Sequence, residues 1–230
     1  MTMLRSALAA GLLVLALSGS FAQAPTQRFD YLVRGDMFEG FDGDEEAFDR
    51  AMALCETRLA ANPDDPEPLV WHGIGLMFRA GRAFTAGGRE RGVAFERQGL
   101  EEMNRAVALA PDAVGVLIPR AAVLLSVAKQ MPDGARAREY VRVAVGDFEK
   151  SLGLQQSRLA TLSVHAKGEL LGGLAEGWSR LGETEKSRVY LTRLVSELPD
   201  SRYAAAAKMR LENPADRSAL TCLGCHRRAQ

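Results

Sequence analysis

Apolar residues recur at three- and four-residue spacing along most of the chain, the period of a helix with one buried face. In AFDRAMALCETRLA, for example, Phe48, Met52, Cys55 and Leu59 fall on a single stripe. The stripes are broken at Asn62-Pro63-Asp64-Asp65-Pro66, Ala110-Pro111-Asp112, Met131-Pro132-Asp133-Gly134 and Leu198-Pro199-Asp200-Ser201. Each break joins a helix terminator to a residue suited to capping the next helix. The pattern predicts helices near 44–61, 66–80, 90–109, 113–130, 135–153, 158–181, 184–197 and 201–211. Alanine and leucine dominate while β-branched and aromatic residues are sparse, which strengthens helix over strand. The expected fold class is all-α, with short links joining antiparallel hairpins.

The first 24 residues follow a different pattern. One basic residue, Arg5, precedes an apolar run from Ala7 to Leu17 and the small-residue stretch Ala22-Gln23-Ala24. This reads as a secretory signal peptide cleaved after Ala24, and it predicts a periplasmic location. The run is shorter than the roughly 20 residues of a membrane span, so no stable membrane insertion is expected after cleavage. The expected organisation is a signal peptide over 1–24, a lead-in segment over 25–43, stacked helices over 44–211 and a terminal helix over 212–230.

Charge changes the picture little. Twenty-nine basic residues balance 29 acidic ones, and nothing in their balance points to nucleic acid. Their distribution is uneven: twelve acidic and four basic residues lie between Arg28 and Glu67, against six basic and two acidic between Arg202 and Arg228. Solvated faces account for most runs of this kind, with a partner site as the alternative.

Three of the stops share a form, in LAANPDDPE, VALAPDAVG and VSELPDSRY. They resemble the close of a tetratricopeptide repeat, whose second helix ends on such a proline. The best match runs from Leu171 to Pro199 and puts Leu171, Leu174, Ala175, Trp178, Gly182, Ser187, Leu191 and Leu194 on signature positions. Ser187 and Ala175 stand where the family has alanine and glycine. A second match starts at Trp71, with Ile74, Gly75 and Phe78 following. Its closing Pro111 comes about twelve residues later than a standard 34-residue repeat allows. That excess falls in the glycine-rich RAFTAGGRERGV, read as a loop or capping turn inserted between paired helices. The stretch lacks the strand and the lysine-hydroxyl ending of a phosphate cradle. The resemblance implies a short solenoid with a concave surface of the kind that binds partner proteins.

Three cysteines leave one unpaired in any exported protein. Cys55, on its apolar stripe, is expected to be a buried structural thiol. The other two stand in TCLGCHRRAQ as Cys222-Leu223-Gly224-Cys225-His226. This C-x-x-C-H spacing is the attachment pattern for c-type haem, with two thioethers and an axial imidazole. Asn213-Pro214-Ala215-Asp216 is a helix start, which predicts a helix over 214–228. On such a helix Cys222, Cys225 and His226 share one side. A thioredoxin-like redox pair would want a preceding strand, and a zinc site would need a fourth ligand drawn from the scattered Cys55, His72 and His165. A disulfide within one helical turn would close a tiny loop and stabilise little. An inert or redox disulfide is therefore the main alternative.

Over this last segment the chain resembles c-type cytochromes. The resemblance implies one covalent haem c, with Cys222 and Cys225 as thioether donors and His226 as the proximal iron ligand. Small cytochromes carry the motif near their N-terminus and a methionine ligand downstream, whereas only Arg227 to Gln230 follow it here. A sixth ligand would come from upstream or from another molecule. His72, expected at a groove position of the repeat match that starts at Trp71, is the preferred candidate, ahead of His165, two turns before Gly172. Met209 is a further one, and an open iron is the remaining possibility. The expected function is electron transfer as a monohaem carrier rather than an enzyme, with a redox partner chosen by the helical surface. A ligand-sensing or peroxidase-like protein with an open iron is one alternative, and a scaffold without functional haem is another.

Overall fold

The computed structural model describes residues 28–131, 133–216 and 218–221. Among them are nine α-helices: α1 (Phe29–Phe41), α2 (Glu45–Ala61), α3 (Pro66–Thr85), α4 (Arg89–Leu109), α5 (Val114–Ala128), α6 (Gly134–Gln155), α7 (Val164–Leu181), α8 (Thr184–Glu197) and α9 (Arg202–Glu212). Successive helices pair as antiparallel-like hairpins, most extensively α3 with α4, α5 with α6 and α7 with α8. No described helix is long and apolar enough to cross a membrane.

The capping chemistry accounts for where helices begin. Asp44 accepts a hydrogen bond from the Ala47 amide at the head of α2, and Asp133 accepts from the Ala135 and Arg136 amides at the head of α6. Ser163 and Ser201 do the same for Ala166 and Ala204 at α7 and α9. Such caps satisfy amides that have no partner inside the helix.

Four features depart from the sequence expectation. Helix α1 occupies most of the lead-in segment, because Phe29, Val33, Met37 and Gly40 form a buried stripe against the rest of the core. The helix expected from residue 158 starts at Val164 instead. A short 3-10 turn over Gln156–Thr161 precedes it, and the Ser163 side chain takes the cap. Most of the glycine-rich insertion is helix, giving 20 residues in α3 and 21 in α4, and the expected turn is confined to the stretch around its paired glycines. Only Ala86 to Gly88 separate them, with Gly87 at φ 76°, a conformation that side chains disfavour. Finally, residues 214–216 and 218–221 form a turn and irregular chain rather than the opening of the expected helix.

The hairpins close at small residues. A Cβ placed on Gly73 or Gly99 would lie 2.7 Å from the other's carbonyl oxygen, so α3 and α4 meet backbone to backbone. Two apolar clusters flank α7. The larger contains Val33, Phe48, Val70, Val116, Phe148, Leu170 and Leu174. The smaller, on an adjoining face of the helix, contains Leu171, Ala175, Leu194, Tyr203, Ala207 and Leu220. Cys55 sits in the larger one, fully buried, and burial pushes its thiol up to about 12 with Glu56 and Glu102 adding to the shift.

Candidate functional site

Cys222, Cys225 and His226, together with the expected signal peptide, lie outside the described residues. The structure does describe how the chain leads toward the motif. In the last turn of α9, Arg210 is buried, and its Nε and Nη2 both donate to the Ser218 carbonyl, at 2.9 and 2.6 Å. Its Nη1 donates to Glu176 Oε2 of α7 at 2.6 Å. Glu176 Oε1 in turn accepts from Arg180 Nε at 2.6 Å, and Lys129 Nζ stands 3.7 Å away. Burial, and secondarily the neighbouring Arg210, lower the Arg180 guanidinium to about 10. One buried carboxylate thus holds two arginines, the arrangement that makes such charges tolerable away from water.

Two residues further on, Leu220 is only 2% exposed and joins the smaller apolar cluster. Its carbonyl lies directly over Gly172, where an added Cβ would approach the oxygen to 2.0 Å. Residue 172 therefore has to be glycine for the chain to lie here. Ser218 is further fixed by donating its amide to Asp216 Oδ1 at 2.7 Å. The stretch that precedes the C-x-x-C-H motif is pinned to α7 and α9 by a buried charge, a leucine side chain and a glycine contact.

A cleft of about 210 Å³ opens between α1, α3, α5, the end of α6 and the first turns of α7. Its wall is mainly apolar and includes Phe38, Trp71, Ile74, Ile118 and Pro119, with Arg28, Arg34, His165 and Glu169 as polar members. Trp71 is 5% exposed and its indole Nε1 has no hydrogen-bond partner. Pro119, inside α5, has no amide to donate to the Gly115 carbonyl, and both residues line the cleft. The volume is below the ~300–1,000 Å³ of pockets that enclose a whole small molecule.

The candidate ligands upstream are placed differently. His165, exposed in the first turn of α7, is one of the cleft residues. Its Nδ1 is 3.2 Å from the Tyr203 hydroxyl. That hydroxyl donates to Glu169 Oε1 at 2.8 Å and accepts from Arg202 at 2.9 Å. His72 faces α2 and α4: its Nδ1 is 2.6 Å from Glu102 Oε2 and its Nε2 is 3.8 Å from Glu56 Oε1. It is not among the cleft residues. Met209, on α9, is half exposed, and the Ser218 hydroxyl stands 3.7 Å from its sulfur. No group of three or more His, Cys, Asp or Glu side chains suited to a metal ion occurs among the described residues.

Sequence reasoning named His72, His165 and Met209 but not Arg210, Glu176 or the seat of Leu220 on Gly172. The only signal for the last was the small residue at a groove position. No protein-family model, no curated protein and no solved structure matches the chain.

Proposed function

We propose that this chain is an exported monohaem c-type cytochrome that transfers electrons to or from a partner protein, built on a short stack of tetratricopeptide-like hairpins. The C-x-x-C-H motif over 222–226 carries the reading. Cys222 and Cys225 are the thioether donors and His226 is the proximal ligand. The bound haem supplies a one-electron iron couple. The chain's own part is to hold the attachment segment in one place. Arg210, Glu176, Gly172 and Leu220 support that role, since together they fix the residues immediately before Cys222.

The repeat reading draws support from the segment Leu171 to Pro199. Leu171, Leu174, Ala175, Leu191 and Leu194 are all buried, and Gly182 closes α7 at φ 83°, where glycine is favoured. Ser187, at the position where the repeat has a small residue on its second helix, donates to the Ala175 carbonyl of the first at 2.7 Å.

The test is haem staining after denaturing electrophoresis of the chain made with the cytochrome maturation machinery. The unaltered chain is expected to stain, and Cys222→Ala with Cys225→Ala is expected to lose the stain. Stain retained in the double variant, or absent from the unaltered protein, overturns the proposal.

A further inference from the structure

We infer that the chain pairs with a second copy of itself, through the end of the molecule where the α1–α2 and α3–α4 turns lie side by side. The inference goes beyond the cytochrome reading and does not depend on it.

The first ground is a division of charge. Residues 39–49, which close α1 and open α2, hold six acidic residues and no basic one. Residues 79–97, which close α3 and open α4, hold five arginines and two glutamates. One of those glutamates, Glu96, is buried and already accepts from the Tyr140 hydroxyl at 2.7 Å, with Arg136 at 2.9 Å. The two turns touch: Arg82 Nη1 donates to Glu45 Oε2 at 2.6 Å, and the Arg79 guanidinium stands 5.4 Å from the centre of the Phe48 ring. An acidic patch and a basic patch therefore share one border at one end of the molecule.

The second ground is what the chain leaves unneutralised. Glu39, Asp42 and Glu46 on one side, and Arg89 and Arg91 on the other, are all exposed. Among the described residues none of the five forms an ion pair. Beside the arginines, Phe84 is 42% and Val93 46% exposed, with the Phe84 ring lying over Gly92. They add an apolar element to the basic side.

A second copy fits this surface better than a partner of one sign. A two-fold axis through the shared border sets each acidic turn against the other copy's basic turn, making two identical contacts. A uniformly acidic or uniformly basic partner would meet one patch of its own sign, and like charges brought together oppose association. Both patches lie at the same end, so the contact closes on itself and does not propagate into a filament. Two helix turns make a small interface, which puts the dimer in the weak, salt-sensitive class.

The experiment is sedimentation velocity of the full chain over a range of concentrations. The unaltered protein is expected to pass from monomer to dimer at about 0.01 M salt and to return to monomer at about 1 M, where charges are screened beyond about 3 Å. Arg89→Glu with Arg91→Glu, and separately Glu39→Lys with Asp42→Lys, should each weaken self-association about tenfold or more. Each pair places at its helix end the sign that the helix dipole favours, so the helical circular dichroism should be unchanged. Mixing the two variants should restore a dimer, with one copy of each. A chain that stays monomeric at low salt, a dimer that neither variant weakens, or assembly that grows past two copies overturns the inference. Two monomeric variants that fail to pair on mixing also overturn it. So does a monomer that instead cosediments with vesicles containing phosphatidylglycerol, which would give the basic turn to a lipid surface.

Discussion

Arg120 and Arg210 are both buried against a carboxylate, yet they are used differently. Arg120 of α5 donates through Nε and Nη2 to the two oxygens of Asp147 on α6, each at 2.7 Å, and through Nη1 to Asn104 of α4. Its whole fork is spent between helices. Arg210 gives only one arm to Glu176 and turns the other two onto the carbonyl of Ser218, outside any helix. The first arrangement joins regular elements to one another. The second extends the fold's hold to chain that has no ladder of its own, immediately before the motif.

The contrast is broken most severely at Arg120. Arg120→Met leaves Asp147 buried without its cation, and removing one member of such a pair costs about 3–5 kcal/mol. Burial already pushes the Asp147 carboxyl above its ordinary range, with Arg120 the main opposing influence. A single cooperative melt at much lower temperature is expected, and a loss under about 0.5 kcal/mol would mean the pair is idle.

Arg210→Met should cost less, about 1–3 kcal/mol, because Glu176 keeps Arg180 and Lys129 nearby. Its distinguishing effect is local: limited proteolysis within 213–221 should accelerate far more than in Arg120→Met. Equal proteolysis in the two variants would erase the distinction.

Gly172→Ala sharpens the second half of the comparison without touching charge. The new methyl meets the Leu220 carbonyl, and overpacking of this kind costs about 1–3 kcal/mol. Here the terminal stretch is able to lift away, so the lower end of that range is expected, with proteolysis again confined to 213–221. Protection equal to that of the unaltered chain would show that the seat is not needed.

A last effect, confined to alkaline pH, lies in the large core, at Cys55. The unfolded thiol ionises near 9.0, whereas the folded one holds its proton to about 12. Between those values the unfolded chain binds fewer protons, so stability falls as pH rises from 9 to 12. Cys55→Ala should flatten that alkaline limb in urea melts, and an unchanged slope would assign the loss to other groups.

Much of this architecture was legible because helix boundaries are written in local chemistry. The stops at Asn62, Ala110 and Leu198 fall where the helices end, and the buried thiol followed from its stripe. Helix α1 was missed although Phe29, Val33 and Met37 repeat every four residues, in a stretch that also carries the poor helix formers Gly35, Gly40 and Gly43. The start at Asn213-Pro214 misled for a tertiary reason: Arg210 takes the Ser218 carbonyl, and the Leu220 carbonyl packs against Gly172. The cleft is assembled from five helices, α1, α3, α5, α6 and α7, and no periodicity marks it. Sequence placed His72 ahead of His165 on an inferred groove position alone, since neither the carboxylates around one nor the phenol beside the other is a sequence neighbour.

The two apolar clusters that share α7 predict an order of opening. Leu170 and Leu174 lock one face of that helix into the larger core, while Leu171 and Ala175 serve the smaller assembly with α8, α9 and Leu220. The smaller cluster has far fewer buried members, so its backbone amides are expected to exchange with solvent through a partial unfolding that spares α1 to α6. The C-terminal third is then expected to act as a foldon with α7 as its fixed wall, and the residues that lead into the C-x-x-C-H motif belong to the part of the fold expected to open first.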